Sequence, residues 1–314
     1  MGLRLDDHWI WDFWLARDGA DHHLFFLQAP RSLRDPEQRH WHVSVGHAVS
    51  ADLRHWRPLP DALAPAPAGA WDDYTTWTGS VLRHDGRWWM FYTGTSHRER
   101  GKVQRVGLAT SGDLVSWRRY GAEPLIEADP RWYEQLGSSQ WPEQAWRDPW
   151  VFQDPDTGTF HAMLTARTTE GDPASRGVIG HATSEDLLTW TVRPPVTAPG
   201  GFGHLEIPQV ERVGGGWRLL FSSPAVGGHP VVGTHLLSAA GPLGPYEWST
   251  HQLLDADPAG TRYGGRLVRD RAGWQLLAWL NHGPDGGFVG ELADPVPVHV
   301  DGDSLVAGPA GPTR

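Results

Sequence analysis

Gly46-His47-Ala48-Val49-Ser50-Ala51-Asp52-Leu53-Arg54-His55-Trp56 decides the fold, because the chain repeats this stretch twice. It returns as Gly107-Leu108-Ala109-Thr110-Ser111-Gly112-Asp113-Leu114-Val115-Ser116-Trp117. It returns again as Gly180-His181-Ala182-Thr183-Ser184-Glu185-Asp186-Leu187-Leu188-Thr189-Trp190. The opening glycines stand 61 and 73 residues apart. A repeat of this kind marks one supersecondary unit copied around an axis, as in a propeller or solenoid. In a propeller, loops from every unit meet at one central pocket, so function is to be sought there.

Each copy has the same grammar. An apolar or aromatic strand leads through a turn to the strand that carries Gly-x-Ala-x-Ser, then Asp-Leu and a closing Trp. Trp88-Trp89-Met90-Phe91-Tyr92 and Val103 to Ala109 alternate with the period of two expected of strands. Asp85-Gly86, between two such runs, reads as a tight hairpin turn. The Ser and Asp of the phrase are expected to cap a turn through backbone amides, with the Trp packing back on the sheet. Five apolar runs are expected to be the inner strands of five blades: Leu24–Leu27, Trp88–Tyr92, Phe160–Leu164, Trp217–Phe221 and Trp274–Trp279. The Pro/Gly-rich stretches 58–70 and 193–203 read as connections between blades, since the same grammar resumes after each. The expectation is all-β: a single five-bladed β-propeller over 1–314, with 301–314 either closing the ring onto the first blade or forming a tail.

The bulk composition narrows the function classes. Lys and Arg number 27 against 37 Asp and Glu, a formal charge of −10 that argues against nucleic acid and anionic membranes as partners. No run of 18 apolar residues is present to span a bilayer. The opening lacks a charged-then-apolar leader pattern, so the cytoplasm is the expected location; a secreted product already relieved of its leader would read the same. There is no cysteine, hence no disulfide or thiolate chemistry. His22-His23 and His40-x-His42 lack the ligand spacing of a zinc site, and neither metal nor cofactor is expected. Nineteen Trp residues are many. Most are expected between sheets, and some against the flat apolar faces of a sugar.

Three carboxylates stand in unusual settings. Asp12 lies in Trp9-Ile10-Trp11-Asp12-Phe13-Trp14, Asp148 in Trp146-Arg147-Asp148-Pro149-Trp150, and Glu206 in His204-Leu205-Glu206-Ile207-Pro208-Gln209. Each precedes a strand run of a different blade. Acidic residues amid apolar ones are usually paired or functional, and matching points of three blades converge on the axis. Glycoside hydrolysis generally needs two carboxylates, one to protonate the leaving oxygen and one to attack or to activate water.

The motifs together resemble those of glycoside hydrolase family 32, the invertase and fructanase family, and more distantly family 68, the levansucrases. The resemblance rests on Trp41 to Pro65, including Leu59-Pro60-Asp61-Ala62-Leu63-Ala64-Pro65, and on Trp77-Thr78-Gly79-Ser80, Phe91-Tyr92-Thr93-Gly94, Arg147-Asp148-Pro149 and Glu206-Ile207-Pro208, in family order over roughly residues 8 to 280. It implies a β-fructofuranosidase-like hydrolase with a retaining mechanism and a capacity for transfer. Asp12 would be the nucleophile, Glu206 the general acid/base and Asp148 a stabiliser of the flattened sugar. Trp11, Trp14, Gln28, Trp77, Ser80 and Arg147 would bind a small carbohydrate substrate. Apolar Leu205, Ile207 and Pro208 beside Glu206 are expected to raise its pKa. Two features depart from family 32. Trp11 precedes Asp12 and Phe13-Trp14-Leu15 follows, where the family has Asn before and Pro-Asn-Gly after; this is nearer family 68. No C-terminal β-sandwich is expected.

Two other readings use the same residues. One is an inverting arabinofuranosidase- or xylosidase-like hydrolase, or a phosphorylase, on the same fold. The phosphorylase would need basic residues at the pocket, for which Arg262 and Arg266 are candidates. The other is a non-catalytic sugar-binding propeller.

Overall fold

The structure is a computed structural model that describes residues 2–224, 231–256 and 259–308. Five antiparallel sheets follow one another along the chain. The first is β1 (His8–Asp18), β2 (Asp21–Pro30), β3 (Ser44–Ser50) and β4 (Arg57–Leu63). The second is β5 (Thr75–His84), β6 (Arg87–Thr95), β7 (Arg105–Ser111) and β8 (Arg118–Arg119). The third is β9 (Trp146–Gln153), β10 (Phe160–Arg167), β11 (Gly177–Ser184) and β12 (Thr191–Arg193). The fourth is β13 (Glu206–Val213), β14 (Gly216–Ser223), β15 (Gly233–Ala239) and β16 (Gln252–Ala256). The fifth is β17 (Arg262–Arg269), β18 (Trp274–His282), β19 (Phe288–Leu292), β20 (Val296–Asp301) and β21 (Ser304–Ala307). Among the described residues, helix is confined to short 3-10 turns.

First strands meet first strands: β1 lies against β5, β5 against β9, β9 against β13, β13 against β17 and β17 against β1. That cycle closes a five-bladed propeller with the first strands around the axis. The five apolar runs thus mark one blade each, but they form β2, β6, β10, β14 and β18, the second strands. Their near-continuous apolar character has a simple cause: second strands are covered on both faces by neighbouring blades, so they lose alternation. In β10 all eight residues are buried.

The repeated phrase builds the third strand of blades one, two and three and the turn after it. In each copy the Asp carboxylate accepts two backbone amides: Arg54 and His55 on Asp52, Val115 and Ser116 on Asp113, Leu188 and Thr189 on Asp186, all at 2.7–2.9 Å. Leu53, Leu114 and Leu187 take φ of 62–64°, a left-handed value that a non-glycine residue adopts only under constraint. Each is buried, and the Trp117 and Trp190 indoles donate to the carbonyls of Leu114 and Leu187. Asp85-Gly86 is the expected hairpin turn, with both residues at positive φ between paired His84 and Arg87.

The last blade is built from its own segment. β19 and β20 both pair with β18, and β21 pairs with β20, so 304–307 is an outer strand of blade five and does not extend blade one. Residues 309–314 lie outside the described residues. Blade five meets blade one through packing and a few bonds: the Leu292 amide donates to the Leu3 carbonyl at 2.9 Å, and Arg31 donates to the Val289 carbonyl at 3.3 Å.

Candidate active site

All five first strands are interrupted near their beginnings. Against the second strand, each carries one extra residue: at Asp12 in β1, at Thr78 in β5, at Asp148-Pro149 in β9, at Ile207-Pro208 in β13 and at Gly264-Gly265 in β17. A bulge re-aims side chains that regular alternation would turn into the blade. The five bulges form a ring at one end of the axis. The residues before them, Trp11, Trp77, Arg147, Glu206 and Tyr263, and the bulged Asp12, Thr78 and Asp148 all line one cavity of about 540 Å³. Trp279 and Asn281 of β18, with His40 and Trp41 before β3, complete much of its wall.

Asp12 is held on both oxygens. Thr78 Oγ1 donates to Oδ2 at 3.0 Å and the Trp279 indole to Oδ1 at 3.1 Å. Burial, then the charges of Asp148 and Glu206, push its pKa up to about 7; the Thr78 bond and the Arg266 charge oppose this. Asp148 is 3% exposed and sits at φ 57°. Its Oδ2 accepts Thr165 Oγ1 at 2.7 Å and the Ile207 amide at 3.2 Å. Ile207 itself has φ 55°, a costly value for a β-branched residue, and its amide bond to Asp148 ties the strained bulge of blade four to blade three. Burial raises the Asp148 pKa, with the Arg147 charge opposing.

Glu206 is clamped. Arg147 Nη2 donates to Oε1 at 2.7 Å and the Tyr263 hydroxyl to Oε2 at 2.5 Å. Arg147 Nη1 also holds Glu143 at 2.9 Å and Gln104 Oε1 at 3.1 Å, and Nη2 lies 3.1 Å from His204 Nδ1. Burial would raise the Glu206 pKa, but the His204 hydrogen bond, the Arg147 charge and the Tyr263 hydrogen bond outweigh it and bring it well below the usual carboxylate range. This reverses the sequence expectation. Leu205 and Ile207 are buried in the blades, and the groups that face the carboxylate are polar: Arg147 and Tyr263 from other blades, and His204 from just before β13.

Six of the nine residues singled out in the sequence therefore line the cavity: Trp11, Asp12, Trp77, Arg147, Asp148 and Glu206. Trp14, Gln28 and Ser80 do not. Trp14 lies beyond the bulge, fully buried and stacked on Phe25 with ring centroids 6.1 Å apart. Gln28 Nε2 donates to Ser44 Oγ and to Asp61 Oδ1, inside blade one. Ser80 Oγ accepts the Val151 amide and fastens β5 to β9. Arg262 pairs with Asp255 at 2.6 Å, and Arg266 is buried on the far side of the bulges, so neither lines this cavity. Thr78, Tyr263, Trp279, Glu143, Gln104 and His204 escaped the sequence reading as site residues. Gly264-Gly265 after Tyr263 was a visible bulge signal; Gln104 and Glu143 offered none.

The family model for the glycosyl hydrolases family 32 N-terminal domain matches residues 15–227. The chain belongs to glycosyl hydrolase family 32. The matched segment contains Asp148 and Glu206 and begins three residues after Asp12. A 6(G)-fructosyltransferase of Asparagus officinalis is 25% identical over 311 residues, covering 86% of this chain and 45% of that protein. The extracellular sucrase of Zymomonas mobilis is 24% identical, covering 98% of this chain and 82% of its own length. The inulosucrase of Halalkalicoccus jeotgali, solved with kestose bound, superposes with a TM-score of 0.79 at 25% identity, covering 96% of this chain and 87% of that one. This family 32 chain thus spans less than half the length of the Asparagus relative.

Proposed function

We propose that this chain cleaves β-fructofuranosides by a retaining double displacement, with sucrose-like and fructan-like sugars as its substrate class. The observation that carries the reading is the meeting of Asp12, Asp148 and Glu206 on three bulges around one cavity, in a family 32 chain. The Asp12 carboxylate attacks the anomeric carbon, the bond from that carbon to the leaving oxygen breaks, and the proton of Glu206 goes to that oxygen. Water then attacks the same carbon, Glu206 takes its proton, and Asp12 leaves. A second sugar in place of water gives transfer. Asp148, kept rigid by Thr165 and the Ile207 amide, accepts hydrogen bonds from sugar hydroxyls as the ring flattens. The indoles of Trp11, Trp41 and Trp77 offer apolar faces to the sugar.

The resting charges are the reverse of what the first step needs, since Asp12 retains a proton near neutrality and Glu206 is the anion. The pair reacts in its singly protonated state, through the minor tautomer with the proton on Glu206. The activity then depends on pH as a bell belonging to the pair. Incubation with sucrose, inulin-type and levan-type oligosaccharides tests the reading. Equal release of glucose and free fructose from sucrose marks hydrolysis, fructose below glucose marks transfer, and products of inverted configuration exclude a retaining path. No cleavage of any fructoside, with release of sugar from synthetic arabinofuranosides, favours the inverting reading instead.

A further inference from the structure

The first strands that line the active cavity at their beginnings line a second cavity at their ends. It has a volume of about 240 Å³ and is bordered by Arg17, Trp150, Glu211, Arg266, Arg269 and His22. Arg17 is five residues beyond Asp12 on β1, and Glu211 five beyond Glu206 on β13. At about 3.3 Å per residue this places the second cavity some 15 Å down the axis from the carboxylates. Arg266 lies between the carboxylates and this cavity. It is 1% exposed; Nη1 donates to the Pro208 carbonyl at 2.9 Å and Nε to the Phe13 carbonyl at 3.1 Å. Its charge acts on Asp12 and Asp148 on one side, and on Glu211 on the other.

Two buried donors at this rear cavity have no acceptor among the described residues: Arg266 Nη2 and the Trp150 indole nitrogen. The guanidinium lies 5.2 Å from the Trp150 ring centre. An unsatisfied buried N–H is costly, more so when charged. Two exposed guanidiniums, Arg17 and Arg269, stand at the mouth, so the cavity is locally basic in a chain of net charge −10. The carboxyl facing in is Glu211, whose Oε1 accepts Gln209 Nε2 at 3.3 Å and whose burial pushes its pKa up to about 7. Burial, then the Arg17 charge, lowers the His22 pKa, against the nearby charges of Asp270 and Asp21.

We propose that the rear cavity is a binding site for a small inorganic oxyanion of the sulfate or phosphate class, with Arg266 Nη2 and Trp150 Nε1 as its buried donors and Arg17 and Arg269 as its outer clamp. Guanidinium groups suit such anions because their paired N–H donors match tetrahedral oxygens. An anion there offsets the Arg266 charge and thereby weakens a buried cation that favours the ionised Asp12.

Sulfate is the probe, because its charge is constant over the working pH range. Titration calorimetry on the intact chain at pH 6 is expected to give one saturable site. Trp150→Phe keeps a ring and removes one donor, and weakens binding by about tenfold, the worth of one hydrogen bond to a charged group. Arg17→Gln/Arg269→Gln lies at the surface, leaves the fold alone if Trp150→Phe does not, and also weakens it. Binding is weaker at pH 8 than at pH 6, as Glu211 ionises. The proposal is overturned if sulfate gives no saturable heat, or if both variants bind it as the parent does, which would place it elsewhere. Competition between sulfate and sugar for one site equally overturns it. These readouts do not use the proposed activity. If the fructosidase reading also stands, saturating sulfate moves the basic limb of the pH profile, set by Asp12, upward in the parent and not in Trp150→Phe.

Discussion

At the scale of single residues, one carboxylate of the cavity is held neutral and another anionic by their neighbours. Asp12 carries a stability cost for that at high pH. Its pKa is raised from 3.8 to about 7, so the folded state binds a proton that the unfolded chain releases. Stability from this group is complete below pH 3.8 and is lost as pH rises through about 7, a loss of up to about 4 kcal/mol. Asp12→Asn removes it. The variant is expected to be inactive yet more stable than the parent at pH 8, and indistinguishable from it near pH 3.5; urea denaturation at the two pH values checks this. Tyr263→Phe removes one of the bonds that hold Glu206 anionic. It is expected to raise the pKa of the Glu206 step and shift the acid limb of the pH–rate profile upward, with an unchanged limb counting against the assigned contact. The identities of Asp12, Asp148 and Glu206 were legible because each stands alone among apolar residues. Their charge states were not. Leu205, Ile207 and Pro208 beside Glu206 are apolar, and His204, two residues before it, was the one local sign of a polar setting; Arg147 and Tyr263 reach it from other blades, and no local pattern announces that.

At the scale of elements, the bulges decide which side chains face the axis. Regular alternation would have put Asp12 and Trp14 on one face of β1 and made both part of the wall. The extra residue at Asp12 breaks that register, so Trp14 turns into the core. The sequence reading placed Trp14 in the cavity on the motif resemblance and the aromatic flanks of Asp12, neither of which shows how far along the strand the cavity reaches. Gly264 is where the fifth bulge is most exacting. It sits at φ 66°, and a Cβ there would lie 2.6 Å from the Trp279 indole nitrogen that holds Asp12. Gly264→Ala is expected to lower kcat sharply with little change in the far-UV spectrum, because it displaces the indole; full activity would show that Trp279 does not position Asp12. The repeated turns behave differently. Asp113→Ala removes the acceptor of two amides in blade two, far from the cavity, and should cost about 1–2 kcal/mol of stability while sparing kcat.

At the scale of the molecule, five sheets around one axis were readable from three copies of one phrase and five apolar runs, but their radial order was not. Runs buried on both faces look like the innermost strands, whereas the innermost strands carry the polar, bulged residues. Buried histidine pairs recur on the blades. His23 Nδ1 lies 3.0 Å from His47 Nε2, and His161 Nδ1 lies 3.0 Å from His181 Nε2. Burial lowers His47 to about 3 and His181 to about 4, so these rings stay neutral while the unfolded chain takes up protons below pH 6.5. Their contribution is present above pH 6.5 and lost as pH falls toward 3–4, the opposite sign to Asp12. Asp12 and Glu211 act oppositely over the same range in parent and variant alike, so the difference isolates the ring: His47→Gln, if it folds, is expected to gain stability relative to the parent on going from pH 7 to pH 5, as urea denaturation at the two pH values checks. The central claim concerns the axis itself: a fructosyl group passes through a covalent bond to Asp12. It is tested most directly by mixing Glu206→Gln with an activated aryl β-fructofuranoside, quenching in acid, and sequencing the labelled peptide by mass spectrometry. The account predicts a burst of aryl alcohol and one fructosyl adduct on Asp12, since departure needs no proton and the base for the second step is gone. An adduct on another residue, or steady turnover without burst or adduct, would contradict it.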